Sequence, residues 1–434
     1  MSPIECGIAG LILLLIFFFL NMPIAFAMAL AGVIGFGYIV SWPTAASLLV
    51  RDFFSQFYSY SLSAITMFVL MGSFAFIAGI GDRLYQAAYK LVGDIRGGLG
   101  IATIIGCAGF AAICGSTSAT AATMGRIVLP EMKRYGYDDT LATGTVAAGG
   151  TLGILIPPST VAIVYGYLTE QSIGKLFVAG VLPGLILAFL FALTVYLICS
   201  LNPKLGPPGE RISWREKIKG SLQAIEGLVL FLLVIGGLFM GWFGPVEAGG
   251  IGAAGALVIG LLRREVRWKK FVEFTKDGLR TACMIICLIA GATIFGRFMA
   301  VTTIPFIIAD WVEGLPLHPN AIMAVIVLIF MIGGCLMDVM PLITLLVPVI
   351  YPVVIRMGFD PIWFGVIIIL MGVLGVITPP VGVNCFVIKS IAPEVPLEKI
   401  FTGILPFLIS IIITTALVIA FPQLALILTQ FARY

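Results

Sequence analysis

The chain has 434 residues, of which 60% are apolar and 11% are charged, and its mean hydropathy is +1.14. Apolar stretches of about twenty residues recur along it, which excludes a soluble globular protein and is typical of a multi-pass membrane protein. The formal net charge of +4 is accounted for by basic loops at one membrane face, so no nucleic-acid partner is expected.

The first part of the chain is predicted to form helices at about 7–21, 23–41 and 62–92. The first lacks a preceding basic segment and is interpreted as a retained helix, not a signal peptide. Two apolar arms follow, at 98–114 and 119–133. Each spans about 23–25 Å, short of the ~30 Å hydrocarbon core. Both outer ends carry basic residues, which are typical of the cytoplasmic side. The two arms therefore predict a re-entrant hairpin with its tip at 115–120.

The next helix, at 139–168, contains a Gly and Pro-Pro break at 153–158. Basic segment 202–219 is interpreted as a linker between two halves. A second hairpin is predicted at 319–357, with its tip at 333–338. The remaining predicted helices lie at 179–200, 222–242, 246–262, 281–300, 361–389 (broken at 375–380) and 402–422.

The break is duplicated. Segment 152–158, LGILIPP, recurs 222 positions later as 374–380, LGVITPP. In lipid such breaks persist only where protein or a hydrated cavity satisfies the freed backbone groups. Two copies therefore predict a duplicated transporter whose site lies near the membrane midplane at the breaks.

The charge distribution gives a topology. Of the 25 Lys and Arg residues, 19 fall in segments that are assigned to the cytoplasm by the positive-inside rule. On this map the first hairpin enters from inside and the second from outside, so the repeat is expected to be inverted. Arg126 and Arg297 lie within apolar segments.

The hairpin tips and breaks are the candidate sites because helix ends expose carbonyl and amide groups. Oxygen-only coordination suits Na⁺ better than a transition metal. An alternative is that the small polar residues only allow close helix packing. The predicted Na⁺ ligands are Gly115, Ser116, Ser118, Gly153, Gly334, Cys335, Asp338, Gly375, Thr378 and Gly382. The predicted substrate contacts are Ser116, Thr120, Ser159, Asp338 and Asn384.

Asp338 is the most informative single residue. A carboxylate at membrane depth costs about 3 kcal/mol on insertion scales unless it has a partner. One interpretation is a Na⁺ ligand or substrate contact; the other is a structural ion pair with Arg126 or Arg297. Arg126 could alternatively bind a substrate carboxylate or extend toward the inside surface.

An enzyme is not expected. The eight cysteines include no Cys-x-x-Cys pair and fit small buried apolar residues. The single His318 lies in a connector, and no nucleophile and base share a motif.

Several motifs together resemble one family. GSTSAT at 115–120, PEM at 130–132, GGTLGILIPPS at 149–159 and GVITPPVG at 375–382 resemble the large membrane subunit, or M subunit, of tripartite ATP-independent periplasmic (TRAP) transporters. These belong to the ion transporter superfamily. The resemblance implies an elevator-type secondary transporter in the bacterial inner membrane, driven by a Na⁺ gradient. C4-dicarboxylates, sialic acid and other organic acids are substrates in the family.

The resemblance also implies two partners, a small four-helix membrane subunit of Q type and a periplasmic substrate-binding protein. Because few residues precede the first helix, the small subunit is expected to be a separate chain. Residues 98–175 and 319–395 are expected to form the moving transport domain. Residues 1–97 and 176–318 would form the scaffold, followed by a C-terminal helix in 396–434.

Two other functions stay open from the sequence. One is a stand-alone Na⁺/dicarboxylate symporter of the same architecture without a binding protein. The other is an ion channel, since broken helices also build selectivity filters, although no continuous polar pore-lining face is found.

Overall fold

The computed structural model describes residues 2–209 and 212–432, and every regular element in these ranges is helical, as the predicted all-α class requires. The elements up to residue 201 are Pro3–Phe19, Ile24–Ile39, Trp42–Phe57, Ser63–Ile77, Ile80–Val92, Gly98–Cys114, Thr117–Arg134, Asp139–Gly150, Leu152–Leu155, Thr160–Thr169 and Ile173–Leu201.

The elements beyond residue 212 include two short 3-10 turns and a π-helical segment, Leu232–Gly236. They are Trp214–Ser221, Leu222–Ala224, Ile225–Phe231, Leu232–Gly236, Gly237–Phe239, Pro245–Leu262, Trp268–Thr302, Ile304–Glu313, Pro319–Leu336, Val339–Arg356, Pro361–Gly375, Val383–Ile391, Leu397–Ala420, Gln423–Leu426 and Leu428–Gln430. Within the described ranges, nine helical stretches are long and apolar enough to cross a bilayer.

The repeat extends well beyond the Pro-Pro motif. Helix Thr117–Arg134 and helix Val339–Arg356 begin and end 222 positions apart. Each is followed by an aspartate, Asp138 or Asp360, whose carboxylate accepts hydrogen bonds from the amides two and three residues later. These paired N-caps start the two broken helices in the same way.

The two halves also pack reciprocally. Helix Ile24–Ile39 packs against Trp268–Thr302, and its equivalent Pro245–Leu262 packs against Ser63–Ile77. Glycines allow the close approach: a Cβ at Gly32 would lie 2.9 Å from the Phe295 amide nitrogen. Small residues at such interfaces let membrane helices approach closely, so each half covers one helix of the other half.

One predicted helix, 62–92, is wrong, because the chain forms two helices there, Ser63–Ile77 and Ile80–Val92. Gly79 between them has φ of +66°, a left-handed conformation that glycine adopts without steric penalty. The apolar pattern continues through the turn, so hydropathy alone did not show the break.

Two helical segments were not predicted. Helix Trp42–Phe57 was missed because it is amphipathic and too polar for a membrane span. The helix predicted at 281–300 begins earlier, at Trp268. Its basic first turns were assigned to a loop, yet Lys and Arg do not end a helix outside the hydrocarbon core.

The predicted basic linker 202–219 is partly helical. Ser213 and Glu216 form a capping box at the start of helix Trp214–Ser221, a pattern that was visible in the sequence. Residues 210 and 211 of the predicted linker lie outside the described residues. The part before them is hydrogen-bonded to the base of the first hairpin, where the Asp138 amide donates to Leu205 O at 3.0 Å.

Candidate transport site

The turn of hairpin 1 (residues 98–134) sits on the break of the first broken helix (residues 139–169). Gly115, with φ of +65°, ends the first arm, and Ser116 caps the second. The carbonyl of Gly115 accepts hydrogen bonds from the Thr160 hydroxyl at 3.0 Å and from the Thr160 amide at 3.5 Å. Backbone groups freed at the tip are thus satisfied by the restarting helix, as burial in lipid requires.

Gly153 brings the broken helix against the tip. A Cβ at Gly153 would lie 2.7 Å from the carbonyl carbon of Ser116 and 2.9 Å from Oγ1 of Thr120. Thr120 is fully buried and its hydroxyl donates to Ser116 O at 2.7 Å. The structure therefore places four of the predicted site residues, Gly115, Ser116, Thr120 and Gly153, in one cluster, here named cluster 1.

Two other predicted residues of this half are placed differently. The hydroxyl of Ser159 donates to Ile154 O at 2.5 Å and accepts from the Ala162 amide at 3.2 Å. Ser159 therefore caps the helix that follows the break, which leaves its hydroxyl little capacity for a substrate. Ser118 is half-buried in the first turn of the second arm.

Hairpin 2 (residues 319–356) repeats this arrangement on the second broken helix (residues 361–391). The Val381 amide donates to Cys335 O at 3.2 Å. A Cβ at Gly375 would lie 2.6 Å from Cα of Gly334. These residues form cluster 2, with Thr378, whose hydroxyl donates to Leu374 O at 2.6 Å, and the left-handed Gly382.

The two breaks differ in exposure. Every residue from 151 to 160 is buried, whereas Pro379 and Pro380 are exposed and Thr378 is half-buried. The first break is therefore enclosed by protein, and the second opens at the molecular surface. The two copies also differ in chemistry, because Ile156 in the first break corresponds to Thr378 in the second.

Asp338 occupies the position in hairpin 2 that Ser116 occupies in hairpin 1, 222 residues earlier. Both are N-cap residues of the second arm. The Ser116 hydroxyl accepts from the Ala119 amide at 3.4 Å, whereas Asp338 makes no side-chain cap hydrogen bond. The Asp338 side chain is exposed, so its carboxylate is available to a ligand.

The ion-pair interpretation of Asp338 is not the arrangement in the structure. Arg297 instead pairs with Asp52, with 2.7 Å between Nε and Oδ2. Arg126 is exposed and makes no ion pair within the described ranges. Neither arginine neutralises Asp338.

The two halves meet at the breaks. Gly372 lies between them, because a Cβ there would be 2.7 Å from Val339 and 3.5 Å from Ile154. Asn384, fully buried after the second break, donates from Nδ2 to Ala147 O at 3.1 Å. Its Oδ1 has no hydrogen-bond partner in the described part of the chain, which leaves a buried acceptor at this junction.

Sequence reasoning missed Thr160, Val381 and Ala147, which supply the contacts that hold tips and breaks together. Thr160 follows Ser159 directly after the first Pro-Pro pair. The repeat therefore indicated its position next to the break but not its hydrogen bond to the hairpin tip. Nothing in the sequence singled out Val381 or Ala147, because they contribute backbone atoms.

The available ligands are oxygens. Among the residues that the structure describes, no group of three or more His, Cys, Asp or Glu could hold a metal ion. Clusters 1 and 2 present carbonyl and hydroxyl oxygens, with one carboxylate at Asp338. Such hard ligands suit alkali or alkaline-earth cations and not soft metals.

A family model covers almost the whole chain: the tripartite ATP-independent periplasmic transporter DctM component matches residues 11–424. The chain belongs to the DctM family of TRAP transporters. A C4-dicarboxylate TRAP transporter large permease, DctM of Pseudomonas aeruginosa, is 36% identical over 89% of this chain and 90% of its own length. The sialic acid TRAP large permease SiaM of Vibrio cholerae is 31% identical over 95% of this chain and 96% of its own.

Two further comparisons concern architecture. The isethionate TRAP permease DctMQ of Oleidesulfovibrio alaskensis is 32% identical over 94% of this DctM-family chain, which spans 64% of that relative. The crystal structure of the Alcanivorax borkumensis YdaH transporter has a TM-score of 0.63, with 13% identity, over 87% of this chain and 88% of that one. This second likeness concerns the fold alone.

Family membership confirms several predictions. The DctM-family chain is a transporter permease and not an enzyme. It is a multi-pass membrane protein of the bacterial inner membrane. The roles of the individual residues in clusters 1 and 2 stay predictions.

Proposed function

We propose that this chain is the large permease of a TRAP system and imports an organic acid anion together with Na⁺. The observation that carries the proposal is the paired seating of the hairpin tips on the two breaks, beside an unneutralised carboxylate at Asp338. Buried carbonyl and hydroxyl oxygens next to one negative charge favour a hard monovalent cation. The helix N-termini that begin at the same tips favour the carboxylate of a substrate.

The substrate class follows from the relatives. A C4-dicarboxylate permease and a sialic acid permease match this chain over similar lengths. Their substrates share a carboxylate and differ elsewhere, so we infer that the architecture common to these permeases binds the carboxylate. A Na⁺ ion bound at Asp338 would balance the charge of that carboxylate. The substrate carboxylate would then not meet a second unscreened negative charge, which would repel it strongly in the membrane.

The partners are proposed from the TRAP names. We infer that a periplasmic substrate-binding protein delivers the substrate and that a small membrane subunit completes the permease. About a third of the DctMQ relative lies outside the part that this chain matches, and the Q in its name suggests that both membrane subunits are fused there. For this chain we propose a separate small subunit.

Na⁺ coupling is tested by uptake into proteoliposomes. With the binding protein added, we expect uptake of the transported acid only when the Na⁺ concentration is higher outside the vesicles. The reason is that Na⁺ must occupy the tips before the substrate is enclosed. C4-dicarboxylates and sialic acid are the first candidates. Equal uptake driven by a proton gradient in Na⁺-free buffer would contradict the proposal, and uptake without any binding protein would favour the stand-alone symporter.

Movement is tested by distances between spin labels. The predicted elevator moves both hairpins and both broken helices as one body against the scaffold. Some positions near the hairpins are unsuitable for labels. Labels at the buried Tyr137 and Tyr165 would disturb packing, and a label at Lys217 would break its ion pair with Asp94, which lies 2.7 Å away.

Exposed positions avoid this problem. A pair at Arg134 on hairpin 1 and Leu262 on the scaffold should give two distance populations whose ratio responds to Na⁺ or substrate. A pair at Arg134 and Ser390, both within the predicted transport domain, should give one. If the second pair splits and the first does not, local gating replaces the elevator.

A further inference from the structure

A cavity of about 310 Å³ lies beside helix Trp42–Phe57 in the scaffold. It is lined by two guanidinium groups, Arg51 and Arg297, and by the hydroxyl-bearing Thr44 and Ser47. The proposed transport mechanism uses none of these residues. Two arginines and two hydroxyls in one cavity are the donors that bind phosphate oxygens.

The charges in the cavity are unequal. Asp52 is almost completely buried, at 1% side-chain exposure, and its carboxylate lies 2.7 Å from Arg297 and 3.7 Å from Arg51. The Arg51 side chain is 67% exposed and that of Arg297 47%. Two positive charges against one negative charge leave an excess of one positive charge, which a singly charged phosphodiester would balance.

The helix beside the cavity carries an exposed apolar stripe. Val50 and Phe54 on the helix and Tyr58, its C-cap residue, recur every fourth residue, and all three are more than two-thirds exposed. Trp42 at the helix start is exposed too. Trp and Tyr at an amphipathic helix mark the interface between water and hydrocarbon, so acyl chains would lie along this stripe.

We propose that this cavity binds the phosphate group of a membrane phospholipid, with Arg51 and Arg297 holding the phosphate and the Val50–Phe54–Tyr58 stripe contacting the chains. Thr44, in the first turn of the helix, adds the favourable end of the helix dipole to the same anion. A free soluble anion would use the arginines but gain nothing from the apolar stripe.

The test is lipid retention, measured by native mass spectrometry on the purified, delipidated chain after addition of defined probes. Phosphatidylglycerol should bind, whereas diacylglycerol with the same chains, which lacks phosphate, should not. Arg51→Gln should weaken phosphatidylglycerol binding roughly tenfold or more, since a charge-assisted hydrogen bond is lost. Ser47→Ala should weaken it less. Arg297 is left intact so that Asp52 keeps its partner.

Arg96→Gln is the matched control, because Arg96 is an exposed arginine outside the cavity and should retain the lipid like the parent chain. Ser47→Ala decides the matter if Arg51→Gln does not fold. Equal retention by the cavity variants and Arg96→Gln would overturn the proposal, as would equal binding of diacylglycerol. Displacement by inorganic phosphate at comparable concentration would make the cavity a soluble-anion site. If the cavity variants lose a co-expressed small membrane subunit but retain the lipid, the cavity is a protein interface and the proposal fails.

Discussion

Asp338→Asn and Asp338→Ala are expected to insert and purify normally yet lose most Na⁺-driven uptake. The carboxylate has no ion-pair partner in the described chain and its side chain is exposed, so its removal leaves no buried charge uncompensated. Loss of a hydrogen bond to a charged group costs about 1.5–3 kcal/mol. We therefore expect uptake at subsaturating Na⁺ to fall roughly 10- to 150-fold. Initial uptake rates across a series of Na⁺ concentrations provide the measurement.

Asp310→Asn is the control for this experiment. Asp310 pairs with Arg356 but its side chain is 65% exposed, and an exposed ion pair contributes little to stability. Its uptake should match the parent chain. A misfolded Asp338→Asn that is rescued by neutralising Arg126 would show that a structural ion pair holds Asp338 after all.

Gly153→Ala is expected to separate the tip of hairpin 1 from its broken helix and to abolish uptake. The added methyl group would meet the Ser116 carbonyl carbon at 2.7 Å, and backbone atoms cannot move aside as a flexible side chain can. Overpacking of this kind typically costs about 1–3 kcal/mol. Thermal unfolding and uptake should therefore both be affected, uptake more strongly.

Gly250→Ala is the matched glycine control. A Cβ built at Gly250, inside helix Pro245–Leu262, would have no heavy atom within 4 Å apart from the neighbouring backbone of its own helix. Alanine in a helix interior is favoured over glycine by about 0.5–1 kcal/mol, so the midpoint of thermal unfolding should be unchanged or higher. If Gly153→Ala behaves like Gly250→Ala, tip and break are not in tight contact in the working transporter.

The irregular parts of this fold were the most predictable. The Pro-Pro pairs end helices because proline has no amide to donate, and the arms of hairpin 1 were too short to cross a bilayer. The turn at Gly79 and the amphipathic helix from Trp42 were not found. An isolated glycine changes no hydropathy, and a surface helix has no apolar run to detect.

The tips and breaks that form the candidate site could be located from the sequence, whereas the contacts between them could not. The repeat identified both tips and both breaks, including Asp338. The bonds that join them link residues far apart in sequence, such as Thr160 to Gly115 and Asn384 to Ala147. These hydrogen bonds depend on tertiary packing, which a single sequence taken alone does not reveal. Ser159, which is predicted as a substrate contact, caps a helix in the structure. A helix cap and a binding hydroxyl have the same sequence signature, so its contact with substrate stays a prediction.

The reciprocal packing of the two halves has a consequence for biogenesis. Helices Ile24–Ile39 and Ser63–Ile77 leave the ribosome long before Trp268–Thr302 and Pro245–Leu262, the helices that cover them. Until then the faces that these later helices cover meet only lipid or translocation machinery, so the amino-terminal half stays an unfinished folding intermediate. A chain severed at 202–209 should consequently regain transport only when both fragments are synthesised in the same cell, with neither accumulating alone.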